Sequence, residues 1–70
     1  MKLEYDKEAD AAYIRLRKGK VRESVELGRD VIVDVGKDGE VIGVEILHFS
    51  ENKDRVKEIL EAVARRARGF

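Results

Sequence analysis

Cysteine, threonine and glutamine are absent from this 70-residue chain, and histidine and asparagine occur once each. Without cysteine there is neither a disulfide framework nor a thiolate metal site. The one histidine, His48, cannot build a histidine-rich zinc centre, and no catalytic triad partner is evident for it. It reads as a strand-end side chain. No apolar run approaches the ~20 residues that cross a bilayer. The opening stretch "MKLEYDKEAD" is charged where a signal peptide is apolar. A cytoplasmic chain with no membrane partner is therefore expected.

An excess of either charge is also lacking. Fifteen basic residues face fifteen acidic ones, for a formal net charge of zero. That balance removes any global attraction to nucleic acid, which makes nucleic acid the disfavoured partner. The apolar fraction of 43% suits a globular domain. The charged fraction, also 43%, exceeds the usual quarter or so, and with so few side-chain amides it suggests a thermophile-like surface. Seventy residues allow one domain, residues 1–70, with a marginal core. Tight packing or oligomerisation must supply what disulfides do not.

Two hydrophobic periods divide the chain near Ser50. Before it, apolar residues alternate with charged ones, as in half-buried strands. Leu3 and Tyr5 share a face in "KLEY", and Ala12, Ile14 and Leu16 share one in "AAYIRLR". Val25 and Leu27, then Val31, Val33 and Val35, then Ile42, Val44 and Ile46 continue the pattern. The connections are short, which favours antiparallel neighbours. Beyond Ser50, Val56, Ile59, Leu60, Val63 and Ala67 recur at three and four residues and predict a helix over 51–67, capped by Ser50 or Asn52. The predicted fold is α+β: residues 1–49 form an antiparallel meander of four to five strands, and the C-terminal helix packs on one face. The pairing of the second and third strands stays open. A two-residue "KG" turn sets Ile14 against Glu23, and a longer, favoured loop sets it against Val25.

The stretch closest to a chemical signature is "DVGKDGEVIGVE", residues 34–45, where Asp34, Asp38, Gly39, Val41 and Glu45 fall at EF-hand positions. Gly36 stands where a ligating oxygen is needed, and the flanks alternate as strands rather than helices. A hairpin explains the segment better. Asp38-Gly39 at the centre of a type I′ turn sets Lys37 opposite Glu40, Val35 opposite Ile42, Val33 opposite Val44 and Val31 opposite Ile46. All the apolar members then share one face, which a one-residue slip would scatter.

Other chemistry is sparse. Asp6, Glu8 and Asp10 have the spacing of metal-binding carboxylates but equally that of a tight turn. A metal or enzymatic site using Asp6, Asp10, Asp34 and Glu45 is the least favoured reading. Arg15, Arg17, Lys18, Lys20 and Arg22 would make a basic hairpin prong, which reads as a solvated strand end before it reads as a groove binder. No phosphate loop, dinucleotide fingerprint or nucleophile context occurs. The sequence thus predicts no enzyme, no catalytic residues, no cofactor and no resident metal. Tyr13, Ile32, Val41 and Leu47 interrupt an otherwise charged outer face and form the expected interface of a homodimer, or of a complex with another protein.

"YDKEADAAYIRL" at 5–16 and "VIVDVGKDGEVIGVEIL" at 31–47 resemble the small prokaryotic proteins grouped as domain of unknown function 2283. The matching positions are Tyr5, Asp6, Glu8, Ala9, Asp10, Tyr13, Ile14, Leu16, Asp34, Asp38, Gly39, Gly43, Glu45, Ile46 and Leu47. The basic 15–22 segment departs from that pattern. The resemblance implies no established activity, and hence no catalytic residues. It implies a role as antitoxin-like partner of a small toxin only as an alternative to the interaction module.

Overall fold

Charge decides which strands lie at the edges of the sheet. The computed structural model describes all 70 residues. It contains β1 (Lys2–Asp6), β2 (Ala11–Arg15), β3 (Glu23–Glu26), β4 (Val31–Val35) and β5 (Val41–Ile46). Helix α1 (Phe49–Asn52), a 3-10 turn (Lys53–Arg55), helix α2 (Val56–Arg66) and a last 3-10 turn (Ala67–Gly69) follow. The five strands form one antiparallel sheet in the order β1-β2-β5-β4-β3. The charged strands β1 and β3 take the edges, where solvent meets both ions and free backbone groups. β5, with five of its six residues buried, takes the centre.

The α+β class and the C-terminal helical segment are as the sequence predicts, but the meander is not. β2 pairs with β5, setting Ile14 opposite Val44 and Ala12 opposite Ile46, and β3 pairs with β4, setting Val25 opposite Val33. Neither expected pairing of Ile14 with β3 occurs. A meander would leave β5 at an edge with one side unpaired; a second neighbour buries it. β2 to β5 therefore stand in Greek-key order. Residues 16–22 make the crossover, tied by the Leu16 and Arg17 amides to the Ile42 carbonyl at 2.9 and 3.2 Å and by the Arg22 amide to the Val35 carbonyl at 2.7 Å.

The β4–β5 hairpin keeps the predicted ladder at its base and changes it near the turn. Val31 faces Ile46 and Val33 faces Val44 as expected, but Val35 faces Val41, with a bulge beyond Asp34. The turn is a three-residue loop: the Gly36 amide donates to the Glu40 carbonyl at 2.8 Å and the Gly39 amide to the Gly36 carbonyl at 3.1 Å. Only Gly39, with φ at 83°, takes the left-handed conformation; Asp38 does not, so the type I′ turn is not formed. An odd loop residue would turn every side chain of one strand to the wrong face. The bulge at Ile42 absorbs it, and the valine ladder keeps its face. Val41, not Ile42, then points into the core cluster. Ile42 is fully buried elsewhere: a β-carbon at Gly19 in the crossover would lie 3.0 Å from its Cδ1.

The core joins Ile14, Val31, Val33, Val35, Val41, Val44 and Ile46 of the sheet to Ile59 and Val63 of α2. Val56, Leu60 and Ala67 pack at its margin, so the whole predicted stripe is used. The helical segment starts at Phe49 rather than 51 and is broken by the 3-10 turn at Lys53–Arg55. Burying an isoleucine or valine contributes roughly 1.5–3 kcal/mol each. Ile46→Ala is expected to cost about 2–5 kcal/mol and Ile46→Val about 1. A domain of this length has about 4–10 kcal/mol in total. Urea unfolding of the two variants checks this, and equal midpoints for wild type and Ile46→Ala would contradict the core assignment.

Candidate functional site

Several polar side chains singled out from the sequence, joined by Asp30 and Ser24, which were not, fall into three groups, and each group ties parts of the chain together. The first holds the β1–β2 turn to the helical segment. Asp6 Oδ1 accepts the Glu8 and Ala9 amides at 3.0 and 3.2 Å, closing the turn. Asp10 has φ at 51°, a left-handed conformation that aspartate tolerates better than most residues. Its carbonyl accepts the Phe49 amide at 2.8 Å, and its carboxylate accepts the Ser50 amide at 3.0 Å and the Ser50 hydroxyl at 2.7 Å. The Tyr5 hydroxyl donates to the same carboxylate at 3.0 Å. Helix α1 is thus capped from forty residues away. Neither Ser50 nor Asn52 caps it: its N-cap is His48, with no side-chain cap bond. The Ser50 hydroxyl bond, followed by the Tyr5 bond, lowers the Asp10 pKa despite a smaller opposing effect of desolvation.

The second group centres on Asp30. Its Oδ2 accepts the Asn52 side-chain amide at 3.0 Å, and its Oδ1 lies 3.1 Å from His48 Nδ1. Asn52 is buried and also donates to the Leu47 and His48 carbonyls at 2.9 and 3.1 Å. It locks the end of β5 to the start of the helix, a use that a lone asparagine in a helical stretch does not announce. Asp30 raises the His48 pKa by hydrogen bonding and by charge, while the Asn52 bond, then His48, lowers that of Asp30.

The third group lies on the outer face. Tyr13 crosses β5 over Gly43, and its hydroxyl donates to Asp34 Oδ2 at 2.8 Å. Asp34 Oδ1 accepts the Ser24 hydroxyl at 2.7 Å. A β-carbon at Gly43 would overlap the Tyr13 phenol, so this glycine is a matter of space. Burial, then the Asp34 hydrogen bond, raises the Tyr13 pKa to about 12, so the phenol stays protonated. The Arg15 guanidinium lies 5.5 Å from its ring centroid. Glu45 sits between Tyr13 and Ile32 in the cross-strand row, and Glu4 and Glu26 continue that row on either side.

Of the four expected interface residues, Tyr13, Ile32 and Leu47 are half-buried and Val41 is buried in the core. The bulge is what removes Val41 from the outer face. Asp6, Asp10 and Asp34 each have fixed partners, and no group of three or more histidine, cysteine or acidic residues is placed to hold a metal ion. The basic 15–22 segment is no hairpin prong either, because β2 and β3 are not neighbours. Arg22 bonds Glu23 at 2.7 Å and the Lys37 carbonyl at 3.0 Å. Large apolar side chains are exposed instead at Met1, Leu3, Tyr5, Leu16 and Val21. No helix is long and apolar enough to cross a membrane.

A five-stranded antiparallel sheet with one helical layer defines a small α+β protein. The chain belongs to the family described as Protein of unknown function (DUF2283), whose profile matches residues 2–50. The match covers all five strands and stops where the helical segment begins. Comparison with curated proteins and with solved structures finds no match.

Gly43→Ala is expected to destabilise by about 1–3 kcal/mol through overpacking, and most of that loss should disappear in a Tyr13→Ser background. Additive losses in a double-mutant cycle would contradict the contact. The His48–Asp30 pair has a sign that pH reads. His48 is raised above its ordinary 6.5, so the pair's stabilisation is complete below that value and is lost as pH rises through the raised pKa. At the acid end it fades as pH falls through the lowered Asp30 pKa. Imidazole titration by NMR should place His48 above 6.5, and Asp30→Asn should bring it down; an unchanged midpoint would rule the pairing out.

Proposed function

We propose that the protein is a non-enzymatic protein-interaction module that works as a homodimer. The observation that carries this reading is how the side chains divide. Asp6, Asp10 and Asp34, with the Ser24, Ser50, Tyr5 and Tyr13 hydroxyls, are engaged in holding the fold, while Met1, Leu3, Leu16 and Val21 stand exposed as apolar surface. Tyr13, the one strongly perturbed phenol, is shifted away from reactivity. The marginal core supports the same reading, since association supplies burial that seventy residues cannot.

A nucleic-acid-associated or antitoxin-like role draws on the exposed cations of residues 15–22. It has less support, because the net charge is zero and the segment forms no two-stranded ribbon. Sedimentation equilibrium at tens of micromolar should return twice the 8.0 kDa chain mass. A monomer at that concentration would refute the homodimer. Duplex DNA binding that falls steeply with salt and is abolished by neutralising Arg17 and Lys20 would favour the second reading.

A further inference from the structure

The outer edge of β1 has no strand beside it, and all five of its residues are exposed. Leu3 and Tyr5 lie opposite Ile14 and Ala12, so they belong to the face that carries the core. Yet Leu3 is 60% exposed and Tyr5 51%, with Met1 and Leu16 beside them in the open. The Tyr5 ring meets that of Phe49 at 5.6 Å, which extends the apolar strip toward the helical segment. An apolar strip along an unpaired strand edge is a template for another strand.

We propose that a second copy of this chain docks antiparallel along β1 with the two-fold axis at Leu3, joining the two five-stranded sheets into one. This rests on the homodimer reading above and gives it a surface and a register. Charge selects the register. With the axis at Leu3, Lys2 faces the partner's Glu4 and Glu4 faces the partner's Lys2, on the outer face. Leu3 meets the partner's Leu3, and Met1 comes beside the partner's Tyr5, on the core face. Moving the axis to Glu4 would set two glutamates against each other. The opposite edge of the sheet offers less to a second copy: β3 has only four residues, and Val25, the apolar residue on its core face, already packs against the core.

The chain exposes 5174 Å², more than the ~4,450 Å² that mass scaling gives for a compact monomer of 8.0 kDa, so uncovered surface is available to a partner. A two-fold contact through one edge also closes on itself and leaves no further β1 edge to recruit more copies.

Charge exchange and cross-linking test the proposal in the full chain, with circular dichroism reporting that each variant folds. Lys2→Glu and Glu4→Lys should each weaken dimerisation about tenfold, because either change sets like charges opposite each other twice per interface. The double variant should recover wild-type association. The chain has no cysteine, so Leu3→Cys introduces a single thiol. Directly opposite residues in antiparallel strands are ~4.5–5.5 Å apart at Cα, within disulfide reach. A mild oxidant should convert Leu3→Cys to a covalent dimer and leave Val21→Cys monomeric under denaturing conditions. A wild-type dimer indifferent to the charge changes, with Leu3→Cys uncross-linked, would overturn the β1 interface and leave the homodimer reading standing. A wild-type monomer would end both. Weakening by Lys2→Glu without recovery in the double variant would exclude the Leu3 axis, and species larger than a dimer would exclude closure through β1.

Discussion

The burial of β5 between two neighbours is the constraint around which the rest of the molecule is arranged. Val44 lies between Ile14 and Val33, and Ile46 lies between Ala12 and Val31. These six side chains are buried, and α2 closes the face with Ile59 and Val63. A strand this apolar is costly at an edge, where one row of its backbone groups would face water beside its side chains. Giving it two partners forces the crossover between β2 and β3 and sends the charged strands outward. The same constraint explains the irregular hairpin. The ladder tolerates an extra loop residue only because the bulge at Ile42 restores side-chain parity before Val44 is reached.

Around that apolar centre the polar residues act as fasteners between segments distant in sequence. Asp10 joins the first turn to α1, Asp30 joins the start of β4 to His48 and Asn52, and Asp34 joins β4 to both β2 and β3. Several of these side chains fall within the stretches by which the chain resembles its family: Tyr5, Asp6, Asp10, Tyr13, Asp34 and Gly43. Each has a structural explanation here. Asp6 closes a turn, Asp10 caps a helix, and Gly43 makes room for a tyrosine bound to Asp34. Three of the carboxylates with metal-like spacing, Asp6, Asp10 and Asp34, are thus held by hydrogen bonds within the fold; Glu45 is not among them.

The outer and inner faces consequently carry different kinds of information. The outer face is a polar lattice in which Tyr13 and Asp34 satisfy each other and a row of glutamates crosses the strands. The inner face is apolar across its three central strands, but its core does not extend to β1, where Leu3 and Tyr5 remain open. The apolar outer patch suggested by alternation loses Val41 to the core. The uncovered apolar surface lies at the edge of the inner face instead, and that relocation shifts attention from the middle of the sheet to its margin.

Alternation and helical periodicity determined the strands, the helical stripe and the Val31–Ile46 and Val33–Val44 pairs, because each follows from which side chains share a face over a few residues. The same local signal carried more than the meander reading used: the density of charge in β1 and β3 against the apolar run of β5 already distinguishes edges from centre. Tertiary structure alone decided the Asp10–Ser50 cap, the Asp30–Asn52 link, the crossing of Tyr13 over Gly43 and the bulge that turned Val41 inward. These depend on distances between residues far apart in the chain or on a one-residue change of parity. Such contacts arise only when the whole sheet closes on its central strand, and no local run of residues encodes them.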